Sequence, residues 1–323
     1  KHRLHEYELD SQCISLAFDE ERDGPFLDKH FECGADTSPD IKQRLLKLIK
    51  KYWCCFCEAI VKIHIKGYEC VIDTGDSKPT VARNIRYGIH ETPIMQKAIE
   101  SLLANDQIAI DDDSSWLSRV VLAPKPHQEE ILEISDFIWR FCISYIALNQ
   151  VTKVISYYIP RCDDAVENGF GNARFFNMMD ACSGFHQIKM EHSSSKKTAF
   201  AGPYGRKYRY KVMPFGLVNA PTIFVTMIYD LKNDWDEELL DLFKIKVDES
   251  NNSTIIIDDN FTYSETYEIA LAHIESILIV SRRHNLSWKL KKCAFFPIKV
   301  EFVGHDLTQE GNMPAESKDA LLN

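Results

Sequence analysis

Apolar residues recur at helical intervals near the start of the chain and at strand intervals further on. Across 39–58, Ile41, Leu45, Leu46, Ile49, Tyr52 and Trp53 fall on one face and predict an amphipathic helix. Thr92 as N-cap and Pro93 in the first turn announce a second helix, with Ile94, Ala98, Ile99, Leu102 and Leu103 as its apolar stripe. Beyond it, β-branched and aromatic runs predict strands over 116–123, 138–145, 174–179, 207–212 and 254–257, with helices near 160–168, 221–232 and 265–284. Strands and helices in this order predict an α+β fold with an antiparallel sheet packed on helices. Residues 1–38, broken by Gly24-Pro25, read as a loose leader. The acidic 234–241 and the polar 248–253 read as a loop insertion.

Composition adds bounds. A chain of 323 residues with 45% hydrophobic and 27% charged positions can bury a core, in one large domain or in two to three subdomains. No apolar run approaches the roughly 20 residues of a membrane span. The net charge of −10 excludes a surface that is basic throughout. Charge is segregated, however: 193–227 and 281–300 each carry six lysines and arginines and no acid, so one face can hold a polyanion. Ten cysteines without a paired framework, and no secretory segment, predict reduced thiols in a cytoplasmic or nuclear compartment. The spacing in Trp53-Cys54-Cys55-Phe56-Cys57 lacks the two-residue gap of a zinc knuckle. The start at Lys1 suits a piece of a longer precursor.

The candidate chemistry is carried by aspartates at strand ends. Asp258-Asp259 follows the β-branched run Thr254-Ile255-Ile256-Ile257, and Phe261-Thr262-Tyr263 can return antiparallel, so the pair predicts a tight hairpin. Asp180 ends a second apolar run, Arg174-Phe175-Phe176-Asn177-Met178-Met179, ahead of the small residues Ala181, Cys182, Ser183 and Gly184. Two such strand ends side by side form a hard-oxygen site suited to two Mg²⁺, with Mn²⁺ as an alternative. Metals so held favour phosphoryl displacement.

The blocks around these acids carry a resemblance. Val71-Ile72-Asp73-Thr74-Gly75-Asp76, Ser115-Trp116-Leu117-Ser118, Trp139-Arg140-Phe141-Cys142-Ile143, and Asp180 with Ser183-Gly184-Phe185-His186-Gln187-Ile188 come first. Lys197-Thr198-Ala199-Phe200, Val212-Met213-Pro214-Phe215-Gly216-Leu217 and Asp258-Asp259 follow in the same order. Over about 70–314 the chain is thereby similar to reverse transcriptases of gypsy-type long-terminal-repeat retrotransposons.

The resemblance implies a leader with one helix over 1–70, fingers over 71–160 and a palm over 161–310. A fingers return near 187–212, a catalytic hairpin near 254–263 and a truncated thumb start at 311–323 complete that outline, the thumb being otherwise absent. It implies RNA-directed DNA synthesis, with Asp180, Asp258 and Asp259 as metal ligands and Lys292 as the proton donor to pyrophosphate. Lys125 and Arg140 would hold the triphosphate. Phe185 would exclude a ribose 2′-hydroxyl, with Pro214, Phe215 and Gly216 lining the sugar pocket, and Phe302, Val303, Gly304 and His305 would form the primer grip. Expected partners are a primed RNA or DNA template, deoxynucleoside triphosphates, and other retroelement domains or a larger protein assembly, with no membrane.

Asp73-Thr74-Gly75 spells an aspartic-protease triplet, but Asp76 would disturb a shared-proton dyad, so protease activity is not expected. Other positions depart from the family: Ile256 precedes the acid pair, Ser144 and Ile146 replace charged residues, and Glu129, Glu130, Glu133 and Asp136 make the fingers loop acidic. These departures motivate a second reading, a domesticated or decayed fold serving as a structural subunit of a larger assembly.

Overall fold

The structure, a computed structural model, describes residues 18–31, 33–57, 63–83, 86–124, 139–156, 172–248, 250–256, 259–302, 305–308 and 311–314. At 256, 259, 301–302, 305–307 and 311–314 the description covers the backbone. The chain forms two compact units, one made of 1–59, 159–182 and 228–323 and the other of 60–158 and 183–227.

The first unit is built on a four-stranded antiparallel sheet in the order Ala294–Phe295, Phe175–Asp180, Asp259–Ser264, Asn252–Ile256. Phe176, Phe261, Tyr263 and Val300 bury together as one apolar cluster of this unit, and Asn177 ties neighbouring strands together through Thr262 Oγ1 (3.1 Å) and Phe296 N (3.1 Å). The helix Tyr267–His284 packs on the sheet. Thr266 caps it by accepting from Ile269 N, its basic last turn suits the helix dipole, and Asn285 closes it at φ 61°. The helix Pro39–Lys51 leans on it with Ile41, Leu45 and Ile49 buried, capped by Ser38 and held by the Lys51–Glu275 pair at 2.7 Å.

Three local expectations are corrected in this unit. The supposed leader contains a helix, Glu20–His30, that accommodates Pro25 because Asp19 caps two amides and Leu27 is buried. The acidic 234–241 is not a loop: the helix Ala220–Phe243 runs through it. Trp235 and Leu239, four apart, are buried while Glu237 and Asp241 are exposed, and the half-buried Asp236 and Glu238 are held in ion pairs with Lys232 and Arg283. Cys57 and Cys182 form a disulfide across 125 residues of sequence, against the expectation of reduced thiols throughout. The expected helix near 160–168 lies outside the described residues. A second, three-stranded sheet joins Lys299–Phe302, His305–Thr308 and Gly311–Pro314.

The other unit carries a five-stranded sheet in the order Ile108–Ile110, Lys207–Tyr210, Phe200–Ala201, Ser118–Pro124, Trp139–Ser144, antiparallel except between Ser118–Pro124 and Phe200–Ala201. Its helix Glu91–Ala104 buries Met95 and Ile99. Thr92 is not the cap: the helix starts one residue earlier, where Glu91 Oε2 reaches back to accept from Gly88 N at 2.6 Å. Asp73 accepts from Gly75 N and pairs with Lys153 at 2.8 Å, so its carboxylate is committed to a turn and an ion pair.

Candidate active site

In the first unit, Asp180 is the last residue of its strand and Asp259 the first of the neighbouring one, and the register sets them directly opposite. The two residues are thus register partners at the same end of the sheet. Asp259 is also opposite Ile256, so its strand pairs with Asn252–Ile256 as well. Asp258 itself lies outside the described residues.

Beside Asp180 stands Lys292, with Nζ 3.2 Å from Oδ1. A third strand-like segment puts it there. Trp288 bridges to Phe56 on one side and Ala181 on the other, Lys289 N donates to Asp180 O at 2.9 Å, and Cys182 N donates to Ser287 O. Trp288 is itself buried and donates from Nε1 to Ser281 Oγ at 2.8 Å, which locks this segment to the helix Tyr267–His284. The turn Leu290–Lys292 then delivers the ammonium to the carboxylate. Nothing in the sequence patterning singled out Trp288, because its partners lie far along the chain.

Paired carboxylates at a sheet end are hard oxygen donors of the kind Mg²⁺ prefers. Asp180 keeps its side chain 13% exposed and is countered by one lysine, an arrangement a cation could replace. Among the described residues no three such ligands are grouped, Asp258 and the Asp259 side chain falling outside them.

The remaining expected site residues divide between the units. Phe302 and His305 of the first unit are register partners closing the hairpin between Lys299–Phe302 and His305–Thr308, and Val303 and Gly304 lie outside the described residues. In the other unit the turn Gly184–Gln187 presents Phe185, which is 7% exposed and packs on Phe215 at 5.0 Å and Phe224 at 5.6 Å. Only glycine fits at 184, since an added Cβ would stand 2.7 Å from Phe224 Cζ. Pro214 is buried, Phe215 is 56% exposed and Gly216 takes φ +91°. Asn149 clamps that turn, donating to Gly216 O at 2.8 Å and accepting from Val218 N at 3.0 Å. Arg140 is exposed on the strand Trp139–Ser144, opposite Ala123, and Lys125 lies outside the described residues.

Known proteins share this architecture. The structure of the foamy viral protease-reverse transcriptase in complex with RNA/DNA hybrid superposes with a TM-score of 0.72 at 21% identity, over 95% of this chain and 38% of that one. The same viral protein in complex with double-stranded DNA gives 0.73 at 21% identity, over 95% and 58%. The fold is therefore that of reverse-transcriptase fingers and palm. Residues 136–307, more than half of the chain, match the family described as Reverse transcriptase (RNA-dependent DNA polymerase). The chain belongs to this family. Among its relatives are the retrovirus-related Pol polyproteins of the Drosophila melanogaster transposons opus (30% identical over 74% of this chain) and 412 (27% over 77%). The chain spans 22% and 19% of their lengths.

Proposed function

We propose that this chain is the fingers and palm of a gypsy-type retrotransposon reverse transcriptase, catalysing RNA-directed DNA synthesis. The observation that carries the reading is the register of Asp259 against Asp180 at one sheet end, with Lys292 at Asp180. Asp180, Asp258 and Asp259 hold two divalent ions, Mg²⁺ in the first instance, which supply charge stabilisation to an in-line phosphoryl displacement.

The primer 3′-hydroxyl attacks the α-phosphorus of a deoxynucleoside triphosphate, its proton passing to solvent water as the new P–O bond forms and the bond to pyrophosphate breaks. Lys292 gives a proton to the departing pyrophosphate, a step that needs only a cation within hydrogen-bond reach. Arg140 and Lys125 hold the phosphates through charge-assisted hydrogen bonds. Phe185 occupies the space of a ribose 2′-hydroxyl, Pro214, Phe215 and Gly216 line the sugar pocket, and Phe302 to His305 hold the primer end. The partners are a primed RNA or DNA template, which the foamy viral neighbours' RNA/DNA and DNA complexes support, and the other domains of a retroelement polyprotein. The place of action is a retroelement particle in the cytoplasm or nucleus.

Primer extension on an RNA template, with Asp258→Asn as control, tests this. Mg²⁺-dependent product that the substitution abolishes is the expected result. A folded chain, carried on into the segments that follow in its relatives and still making no such product, would refute the polymerase.

A further inference from the structure

The unit that contains Phe185 also holds a polar pair, buried Gln107 and half-buried His186, that none of these roles uses. Gln107 is 1% exposed, and its Nε2 lies 3.1 Å from His186 Nδ1. The backbone of Gln107 is fixed on both sides, its N–H donating to Leu102 O at 2.9 Å and its carbonyl accepting from Lys211 N at 2.8 Å. The side chain therefore meets the imidazole from a fixed direction. His186 sits in the same short turn as Phe185, and its ring meets Phe215 edge-on at 5.2 Å. Phe215 is more than half exposed, so packing against a surrounding core cannot set its position. Among the described residues two rings meet it instead: Phe185 on one contact and His186 on the other.

Resting on the gate role given to Phe185 above, we propose that Gln107 and His186 are positioning residues for the deoxynucleotide pocket. They hold Phe215 against Phe185 and so set how strongly a ribose 2′-hydroxyl is excluded. Steric exclusion of one hydroxyl depends on displacements below an ångström, and placement of that accuracy needs a second layer of fixed side chains. The hydrogen bond to Gln107 fixes the imidazole plane, and the imidazole edge fixes the exposed phenyl ring.

The test is the ratio of kcat/KM for a deoxynucleotide to that for the matching ribonucleotide in primer extension, with thermal unfolding measured beside it. His186→Ala is expected to lower the ratio about tenfold. Gln107→Leu strands the buried Nδ1 and is expected to lower it as well. Phenylalanine keeps a ring at 186 and needs no hydrogen-bond partner, so the double variant Gln107→Leu/His186→Phe should recover most of the wild-type ratio. A merely structural role would lower the melting temperature in every single variant and leave the ratio unmoved, which overturns the proposal. The control is Phe185→Ala. If it shifts the ratio while His186→Ala and Gln107→Leu do not, the positioning role alone is wrong. If Phe185→Ala shifts nothing either, the gate assignment is wrong and the positioning role goes with it.

Discussion

Lys292 reaches the carboxylate of Asp180 with more than half of its own side chain exposed, 56% against 13% for the aspartate. An ion pair this exposed on its lysine side contributes little to stability, about 1 kcal/mol or less, so the proposed proton-donor role can be tested in a folded chain. Lys292→Met is thus expected to leave the unfolding midpoint nearly unchanged and to lower kcat about 100-fold with KM little altered, as read by single-turnover primer extension. An equal rise in KM would instead assign the lysine to nucleotide binding. Gly184 presents the opposite case, a position where stability is at stake. A methyl group there meets the Phe224 ring at 2.7 and 2.8 Å, and that ring is fully buried. Gly184→Ala should destabilise by about 1–3 kcal/mol. Denaturant unfolding would show this as a lower midpoint at unchanged slope, and an unchanged midpoint would mean that the turn yields freely.

The helix Ala220–Phe243 shows how far elements can be read from patterning alone. Its first half was legible from apolar spacing, but the crowd of acids after Lys232 suggested a loop. What keeps the helix going is a pair of buried residues four apart, Trp235 and Leu239, with Trp235 donating to Ser253 Oγ at 3.4 Å. Trp235→Ala should therefore cost about 3–5 kcal/mol and reduce far-ultraviolet helicity, whereas Asp241→Ala, on the exposed face, should change stability by less than about 0.5 kcal/mol. Equal effects from the two would return the segment to a loop. The opposed acids were legible for a related reason. Near-continuous apolar and β-branched runs that stop at Asp180 and at Asp258-Asp259 mark strand ends, and the register sets Asp180 opposite Asp259. The contacts that position Lys292 and Phe215 were not legible. Trp288, Gln107 and the Cys57–Cys182 bond depend on partners brought close only by tertiary folding, and no local period encodes them. Pro25 misled in the other direction, because a capped helix with one buried leucine tolerated it.

At the scale of the whole molecule, each unit carries an imidazole whose pKa burial draws down to about 4. His186 is pushed down from near 6.5 to about 4 by burial, and so is His273, where burial dominates over the nearby Lys232 ammonium and the opposing Asp248 carboxylate. Burial disfavours the charged ring, so between pH 6.5 and 4 the unfolded chain binds protons that the folded chain does not. Stability from these two groups is complete above pH 6.5 and declines as pH falls toward 4, by on the order of 3 kcal/mol for each. Glu191 acts in a lower window. Its carboxylate accepts from the Ser193 hydroxyl and the Ser193 and Ser194 amides, which draws its pKa from 4.5 down to about 2, so its contribution is present above 4.5 and fades below. The net charge of −10 works against both trends, because acid relieves self-repulsion of the folded state. The informative quantity is therefore the difference between a variant and the parent at each pH. His273 Nε2 has no hydrogen-bond partner among the described residues, so His273→Leu removes the titration without stranding another polar group at that nitrogen. Chemical unfolding of His273→Leu is expected to show a shallower loss of stability than the parent from pH 6.5 to 4 and a parallel course below 4. Parallel curves across the whole range would mean that this imidazole takes up its proton inside the folded unit.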